Sequence, residues 1–139
     1  MASPNKIVRI GPVALTTTTT TNIFNPGTTT GGTGMPLTSG NLYFVLRHIR
    51  VTNNTTGALQ AALWLGTTGI NTTGASYVLG GIASAGALTD GVSIPGSGAG
   101  NVNYVDWYGA TRMDAADFLV GGASGAGLTI TIDAEMGVN

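Results

Sequence analysis

The chain has 139 residues, of which 8% are charged, with a formal net charge of −1, 23 glycines and no cysteine. That length suits one domain with one core. The lack of a basic field argues against nucleic acid as a partner, because such binding depends on neutralising phosphates. The lack of cysteine excludes disulfides, thiolate metal sites and cysteine nucleophiles, so stability must come from packing or assembly.

Neither a secretory signal nor a membrane span is predicted. The first ten residues lack the apolar core of a signal peptide. The most apolar uncharged window, Val78 to Leu88, is shorter than the roughly 18 residues that a span requires. We therefore expect a protein that is made and used in soluble form, without a membrane partner.

The first forty residues predict an arm. Lys6 to Ile10 can form a short strand, and the run of six threonines from Thr16 to Thr21 favours extended structure, because β-branched side chains fit strands. Residues 25–40 are almost without apolar side chains and predict a loop. We assign residues 1–40 to an extended N-terminal arm with a glycine- and threonine-rich loop.

A long central strand is predicted next. Leu42 to Asn53 is apolar on both faces at its start, which is typical of a strand inside the core. Towards its end, Arg47, His48 and Arg50 stand among apolar residues, which indicates that the strand runs outward to a wetter rim. A short polar linker, 53–57, then has the composition of a hairpin connection.

The rest of the chain predicts further short strands separated by turns. Ala58 to Gly66 alternates and places Trp64 opposite its apolar face, where it is expected to cover a partner or a loop. Leu128 to Val138 has the clearest alternation, with apolar residues on one face and threonine or acidic residues on the other. Other candidates are Tyr77 to Leu79, Val92 to Ile94, Val102 to Tyr108 and Ala115 to Val120.

Roughly seven to nine strands with almost no helical periodicity predict an all-β fold. Antiparallel chains of this kind close into a sandwich, a jelly roll or a barrel. We predict a single antiparallel β-sandwich or jelly-roll-like domain over residues 41–139, preceded by the extended N-terminal arm.

No catalytic residue, metal site or cofactor is predicted, and we expect that the protein is not an enzyme. His48 is the only histidine, and a general base needs a nucleophile or carboxylate within reach. Asp106, Asp114 or Asp117 could approach it only through the fold, so we interpret His48 as a rim residue flanked by arginines. The glycine-rich runs precede strands, whereas phosphate sites use a following helix.

A partner interface is the function that the surface favours. The cations are few, and arginine with aromatic residues, at the expense of lysine, is the composition of interfaces. Extended segments attached to a β domain also tend to pair with a neighbouring strand. The candidate interface residues are Lys6, Arg9, Thr16, Thr17, Thr18, Thr19, Thr20, Thr21, Arg47, Arg50 and Trp64.

Several stretches resemble the small head decoration or cement proteins of tailed bacteriophages. They are PNKIVRIGPVALTTTTTTNIFNP at the start, YFVLRHIRVTNNT with ALWLG in the middle, and DWYGATRMDAADFLVGGA with LTITIDAEMGV at the end. The resemblance implies a structural protein, made in the host cytoplasm, that binds the exterior of the major capsid protein lattice at three-fold positions. It implies a homo-oligomer, which we expect to be a trimer, and no individual functional residues.

Two further functions remain open. The chain could be another virion part, such as a head-fibre base or a tail component that binds a host glycan, and clustered aromatic residues on one exposed face would favour that role. A small hydrolase would require a nucleophile and a base, which the sequence hardly supplies.

Overall fold

The computed structural model describes residues 6–17, 21–26, 42–66, 76–80, 88, 91–98 and 100–138. The described part of the chain is all β. Its strands, in chain order, are β1 (Lys6–Leu15), β2 (Thr21–Phe24), β3 (Leu42–Asn53), β4 (Leu59–Gly66), β5 (Ser76–Leu79), β6 (Val92–Ile94), β7 (Tyr104–Met113), β8 (Phe118–Ala123) and β9 (Leu128–Val138).

The strands form two antiparallel sheets packed face to face. Sheet A has the order β1-β9-β3-β7, and sheet B has the order β2-β8-β4-β5, with β6 also pairing with β4. If β6 is left out, the strand pairs are nested in the sequence, with the first strand paired to the last. The pairs are β1 with β9, β2 with β8, β3 with β7, and β4 with β5. Successive pairs alternate between the sheets, which is a jelly roll. The prediction of an all-β sandwich or jelly roll is confirmed.

The core lies between the sheets and follows from alternation along each strand. On β9, Leu128, Ile130, Ile132, Ala134 and Met136 are buried, as the sequence predicts. Side chains from sheet B, including Leu63, Ile94 and Leu119, close the other side of this core. One contact across the sheets joins Phe24 of β2 to Phe44 of β3 in a T-shaped pair with ring centroids 4.8 Å apart.

Three strands of sheet A are irregular near their middle, and on β3 and β7 the irregularities lie side by side. On β1, Gly11 and Pro12 lie between the pairs Ile10–Ile132 and Val13–Ile130, so two residues oppose one on β9. On β3, Arg47 is an extra residue, because Leu46 and His48 pair with two consecutive residues of β9. On β7, two residues, 109 and 110, lie opposite Arg47. These are β-bulges, which shift the alternation of the side chains that follow.

The segment assigned to an arm contains two strands of the sandwich. β1 pairs with β9 along its length and buries Ile10 and Leu15, and β2 pairs with β8 and buries Phe24. The backbone N–H of Ala123 donates to the carbonyl oxygen of Thr16 at 2.9 Å, where the chain leaves sheet A for sheet B. Residue 40 therefore does not divide an arm from the sandwich, because the core includes side chains from both parts.

Trp64 is on the predicted face of β4, but it is fully buried. It lies on the side of sheet B away from the main core, with Ala62 and Val120, and Leu88 and Phe118 pack against this group. Trp64 was expected to cover a partner or a loop, and in this chain its ring is covered by residues of the chain itself.

No helix in the described segments is long and apolar enough to cross a membrane.

Candidate functional site

The outer face of sheet A, which points away from the core, carries the charged groups. Leu46 points inward, so Arg47 points outward, and Ile49 points inward, so His48 also points outward. The bulge at Arg47 thus puts two successive side chains on the same face, and Arg50 follows two residues later. This is why three polar residues of a central strand reach one surface.

His48 lies between two carboxylates at the centre of this face. Its Nε2 is 2.8 Å from Oδ1 of Asp106 on β7, and its Nδ1 is 3.1 Å from Oδ2 of Asp133 on β9. The hydrogen bond to Asp106 is the main cause that raises the pKa of His48 above its ordinary value of 6.5, with Asp133 adding to it against the effect of burial. The arrangement favours the imidazolium form, in which both nitrogens donate.

Arg50 holds Asp106 from the other side. Its Nε and Nη2 donate to the two oxygens of the Asp106 carboxylate, each at 2.8 Å, in the bidentate geometry that suits a guanidinium. These hydrogen bonds, followed by the one from His48, lower the pKa of Asp106 to about 2, and they raise the pKa of Arg50. Asp106 is 17% exposed, so the carboxylate is a fixed anion that orders two cations.

Tyrosine rings flank this charged cluster on β7. Tyr108 stacks on the His48 ring, with centroids 4.7 Å apart and planes 15° apart. The guanidinium of Arg50 lies 4.0 Å from the centre of the Tyr104 ring, a cation–π contact. Tyr108 is nevertheless 71% exposed and Tyr104 is 40% exposed. The face therefore presents two aromatic rings whose orientation is fixed by neighbouring cations.

A shallow depression of about 380 Å³ lies on the β1 side of this cluster. It is lined by Arg9 of β1, Thr131 and Asp133 of β9, and His48 and Arg50 of β3. Arg9 is opposite Asp133 in the strand register, and it makes no ion pair within the described part of the chain. The depression is open to solvent and is lined by both positively and negatively charged side chains, so it is a candidate binding site.

The geometry of His48 is that of a charged structural group. Both ring nitrogens face carboxylates, so neither is directed at a substrate, and a base needs a free nitrogen. Across the described residues, no group of three or more histidine or acidic side chains is arranged to hold a metal ion. This face offers arginine donors, carboxylate acceptors and tyrosine rings for binding.

The residues that were predicted from the sequence to form an interface do not lie together on one surface. Lys6 is exposed at the start of β1, and Arg9 lines the depression. Arg47 pairs with Glu135 at 3.0 Å, and Arg50 pairs with Asp106. The remaining candidates apart from Trp64 are the threonines. Thr16 and Thr17 are exposed, and Thr21 begins β2. Thr18, Thr19 and Thr20 lie outside the described residues.

Sequence reasoning placed Asp106 as one acid that could approach His48, but it missed Asp133 and the stacking of Tyr104 and Tyr108. The signal for Asp133 was present, because it lies on the polar face of the clearly alternating last strand. The pairing of β3 with both β7 and β9 could not be read from alternation, since that pattern gives a face and not a neighbour.

Comparison with known proteins provides no relative for this site. The chain matches no protein-family model, no curated protein and no solved structure.

Proposed function

We propose that the chain is a structural protein of a tailed-phage virion, which binds the outside of the assembled major capsid lattice and stabilises it. The sequence resemblance described above supports this proposal. The jelly roll is in keeping with it, because viral capsid proteins use this fold, although a fold by itself does not define a function.

The observation that carries the proposal is the open edge of β1. This strand has ten residues and ends the order of sheet A, so one side of its backbone has no partner strand in the described part of the chain. Natural proteins usually block long edges with charge, proline or a covering segment. β1 carries exposed charges at Lys6 and Arg9 and the bulge at Pro12, but its regular stretch before the bulge also has an apolar residue, Ile7, that is 83% exposed. Such an edge is suited to accepting a strand from a neighbour in the lattice.

The other edge of sheet A, β7, is less available. Its outward side chains are engaged within the chain, Asp106 with His48 and Arg50, Tyr108 with His48, and Arg112 with Asp114. A strand that paired with this edge would lie beside these ordered charged groups. We therefore assign the lattice contact to β1, and the proposed partner is a strand of the major capsid protein.

Repetition on the particle makes a weak contact sufficient. In the proposed arrangement three copies form a homo-trimer at a three-fold position, so one copy that binds raises the effective concentration of the others. Light scattering of the isolated protein measures whether the trimer exists before it meets the lattice.

Replacing Ile7 with Lys tests the attachment. A lysine on an edge strand opposes pairing with a neighbour, and Ile7 is exposed, so the fold should be unchanged. We expect Ile7→Lys to weaken binding to phage heads about ten-fold or more, which corresponds to a loss of roughly 1.4 kcal/mol in the free energy of binding. Occupancy is measured by imaging heads mixed with the purified protein in an electron microscope.

Val102→Lys is the matched control, because Val102 is 60% exposed and lies before β7. It should bind heads as the original protein does, and both variants should melt at the original temperature. Full occupancy with Ile7→Lys would remove the β1 edge from the proposal. Heads that remain bare with the original protein would remove the capsid function.

The alternative function is that of another virion part, a head-fibre base or tail component that binds a host glycan. One specific observation favours it, namely the two exposed tyrosines, Tyr104 and Tyr108, on one face of β7. Aromatic rings beside hydrogen-bonding groups are a common means of binding sugars, and lectin domains also use the jelly roll.

A further inference from the structure

We propose that the depression on the outer face of sheet A binds an acidic saccharide and that the guanidinium of Arg9 receives its carboxylate. This site goes beyond capsid attachment. It faces outward from the sheet, whereas the proposed lattice contact uses the backbone edge of β1, and side chains stand roughly perpendicular to that edge.

Unused hydrogen-bond donors face the depression. Arg9 has five N–H groups and makes no hydrogen bond or ion pair within the described part of the chain. Arg50 uses Nε and Nη2 for Asp106, which leaves Nη1 without a partner among the described residues. Thr131 of β9, whose side chain carries a hydroxyl, also lines the depression. An arginine fork matches the two oxygens of a carboxylate.

The local charge favours a single anion. Three cations, Arg9, Arg50 and protonated His48, face two carboxylates, those of Asp106 and Asp133. The contacts of His48 with both carboxylates favour its charged form, so one positive charge is left unbalanced at neutral pH. A ligand with one carboxylate restores the balance without displacing an existing pair.

Two features favour a sugar over a bare carboxylate side chain. The depression, about 380 Å³, lies in the range of small-molecule sites, which begin near roughly 300 Å³. Asp133 is 50% exposed and can accept hydroxyl hydrogens, whereas it would repel a second carboxylate.

Titration of the intact isolated protein with methyl β-D-glucuronide tests the site. Methyl β-D-glucoside has the same ring without the charge, and acetate has the carboxylate without the ring. Binding is followed by the NMR signals of the His48 and Tyr108 rings. We expect a millimolar Kd for the glucuronide and much weaker binding of the other two probes.

Variants separate the two parts of the ligand. Arg9→Gln should weaken glucuronide binding about ten-fold, because it removes a charge-assisted fork. Thr131→Val should weaken glucuronide binding but leave acetate binding unchanged, because it removes a hydroxyl that lines the depression and can bond to the sugar hydroxyls. Arg47→Gln is the control, since Arg47 lies on the same face but pairs with Glu135 outside the depression, and it should bind as the original protein does.

Acetate that binds as tightly as the glucuronide would overturn the saccharide and point to an acidic side chain of a protein partner. The absence of any shift at tens of millimolar, or an Arg9→Gln variant with unchanged affinity, would overturn the site itself. The titration contains no phage heads, so its failure leaves the proposed capsid function untouched, and bare heads would not affect the titration.

Discussion

At the scale of single residues, His48 connects three strands through charge. It bridges Asp106 on β7 and Asp133 on β9, and Arg50 fixes Asp106 in place. Because every partner is ordered by another, removing one partner leaves the others in a partly desolvated position. The cluster is therefore expected to behave as a unit when the pH changes.

The sign of the pH dependence follows from the two shifted pKa values. His48 has a raised pKa, so its contribution to the free energy of unfolding is complete below its ordinary value of 6.5 and is lost as the pH rises through the raised value. Asp106 has a pKa of about 2, so its contribution is complete above 3.8 and is lost as the pH falls through about 2. Stability should be greatest between these limits.

We predict that the free energy of unfolding decreases as the pH rises through the raised pKa of His48 and that His48→Gln removes most of this decrease. The chain has one histidine and no cysteine, so few other side chains titrate there. Urea unfolding at several pH values measures the effect, and NMR titration of the imidazole gives the pKa directly. Asp106→Asn should lower that pKa, and a His48 pKa at or below 6.5 in the original protein would contradict the geometry.

At the scale of strands, register decides which residues meet water. Ile132 and Thr131 are neighbours on β9, and they point to opposite faces: Ile132 is fully buried, whereas Thr131 lines the outer depression. A slip of one residue would exchange these faces along the whole strand. The two positions therefore form a matched pair for testing the register.

Ile132→Asp should unfold the domain, because an unpaired charge in the core costs at least about 3 kcal/mol out of a total stability of roughly 5–15 kcal/mol. Thr131→Asp introduces the same side chain opposite Arg50 in the register and should change stability by less than about 1 kcal/mol. Circular dichroism and thermal unfolding measure both. If both variants are folded and equally stable, the assignment of faces on β9 is incorrect.

Much of the strand pattern could be predicted from alternation. The predicted limits of the third and last strands, Leu42–Asn53 and Leu128–Val138, agree with the structure. On β7, Val105 and Trp107 alternate with Tyr104, Asp106 and Tyr108 in the sequence, and both pack against the core. The strand was predicted to end at Tyr108, but it continues to Met113, since the bulge at 109–110 breaks the alternation that marked it. Local pattern thus predicts faces well until an extra residue intervenes.

Asn53 shows a second limit of prediction from sequence. The polar composition of residues 53–57 predicts an exposed linker, yet the side chain of Asn53 is fully buried. The side-chain amide donates to the carbonyl oxygens of Gly57 and Ile94, and its oxygen accepts from the N–H and hydroxyl of Thr55. All four hydrogen-bonding positions are filled, so burial costs little. This set of hydrogen bonds depends on Ile94 of β6, which is 41 residues away in the sequence. A local sequence pattern does not reveal such a partner.

At the scale of the whole molecule, charge is divided unequally between the sheets. In the described residues, every charged side chain belongs to a strand of sheet A or to the turn between β7 and β8, and the strands of sheet B have none. Repulsion between charges protects surfaces from association, so the two sides of the sandwich differ in this protection. In the proposed virion, the charged face is the one that meets solvent.

The jelly roll depends on its first strand, and removal of residues 1–17 should therefore unfold the domain. The deletion removes the buried side chains of Ile10 and Leu15, each worth roughly 1.5–3 kcal/mol, and exposes an edge of β9. Far-ultraviolet circular dichroism and amide NMR spectra measure the loss. A truncated chain with a dispersed, native-like spectrum would mean that the first strand is dispensable.

Adding the missing strand as a peptide of residues 6–17 should restore folding, because an extended peptide can complete an open sheet edge. A peptide with Ile10→Asp is the matched control and should not restore it, since the charge would enter the core. Equal rescue by both peptides would show that pairing of the backbone, without burial, is sufficient.

The position of His48 also makes it a probe of the folding rate. Its two carboxylate partners lie 58 and 85 residues further along the chain, so the ring acquires both only after two large loops have closed. Folds dominated by such distant pairings form slowly, in milliseconds to seconds. The sequence contains one histidine. The rate at which its imidazole NMR signal reaches the native position therefore measures how fast β3, β7 and β9 come together during refolding.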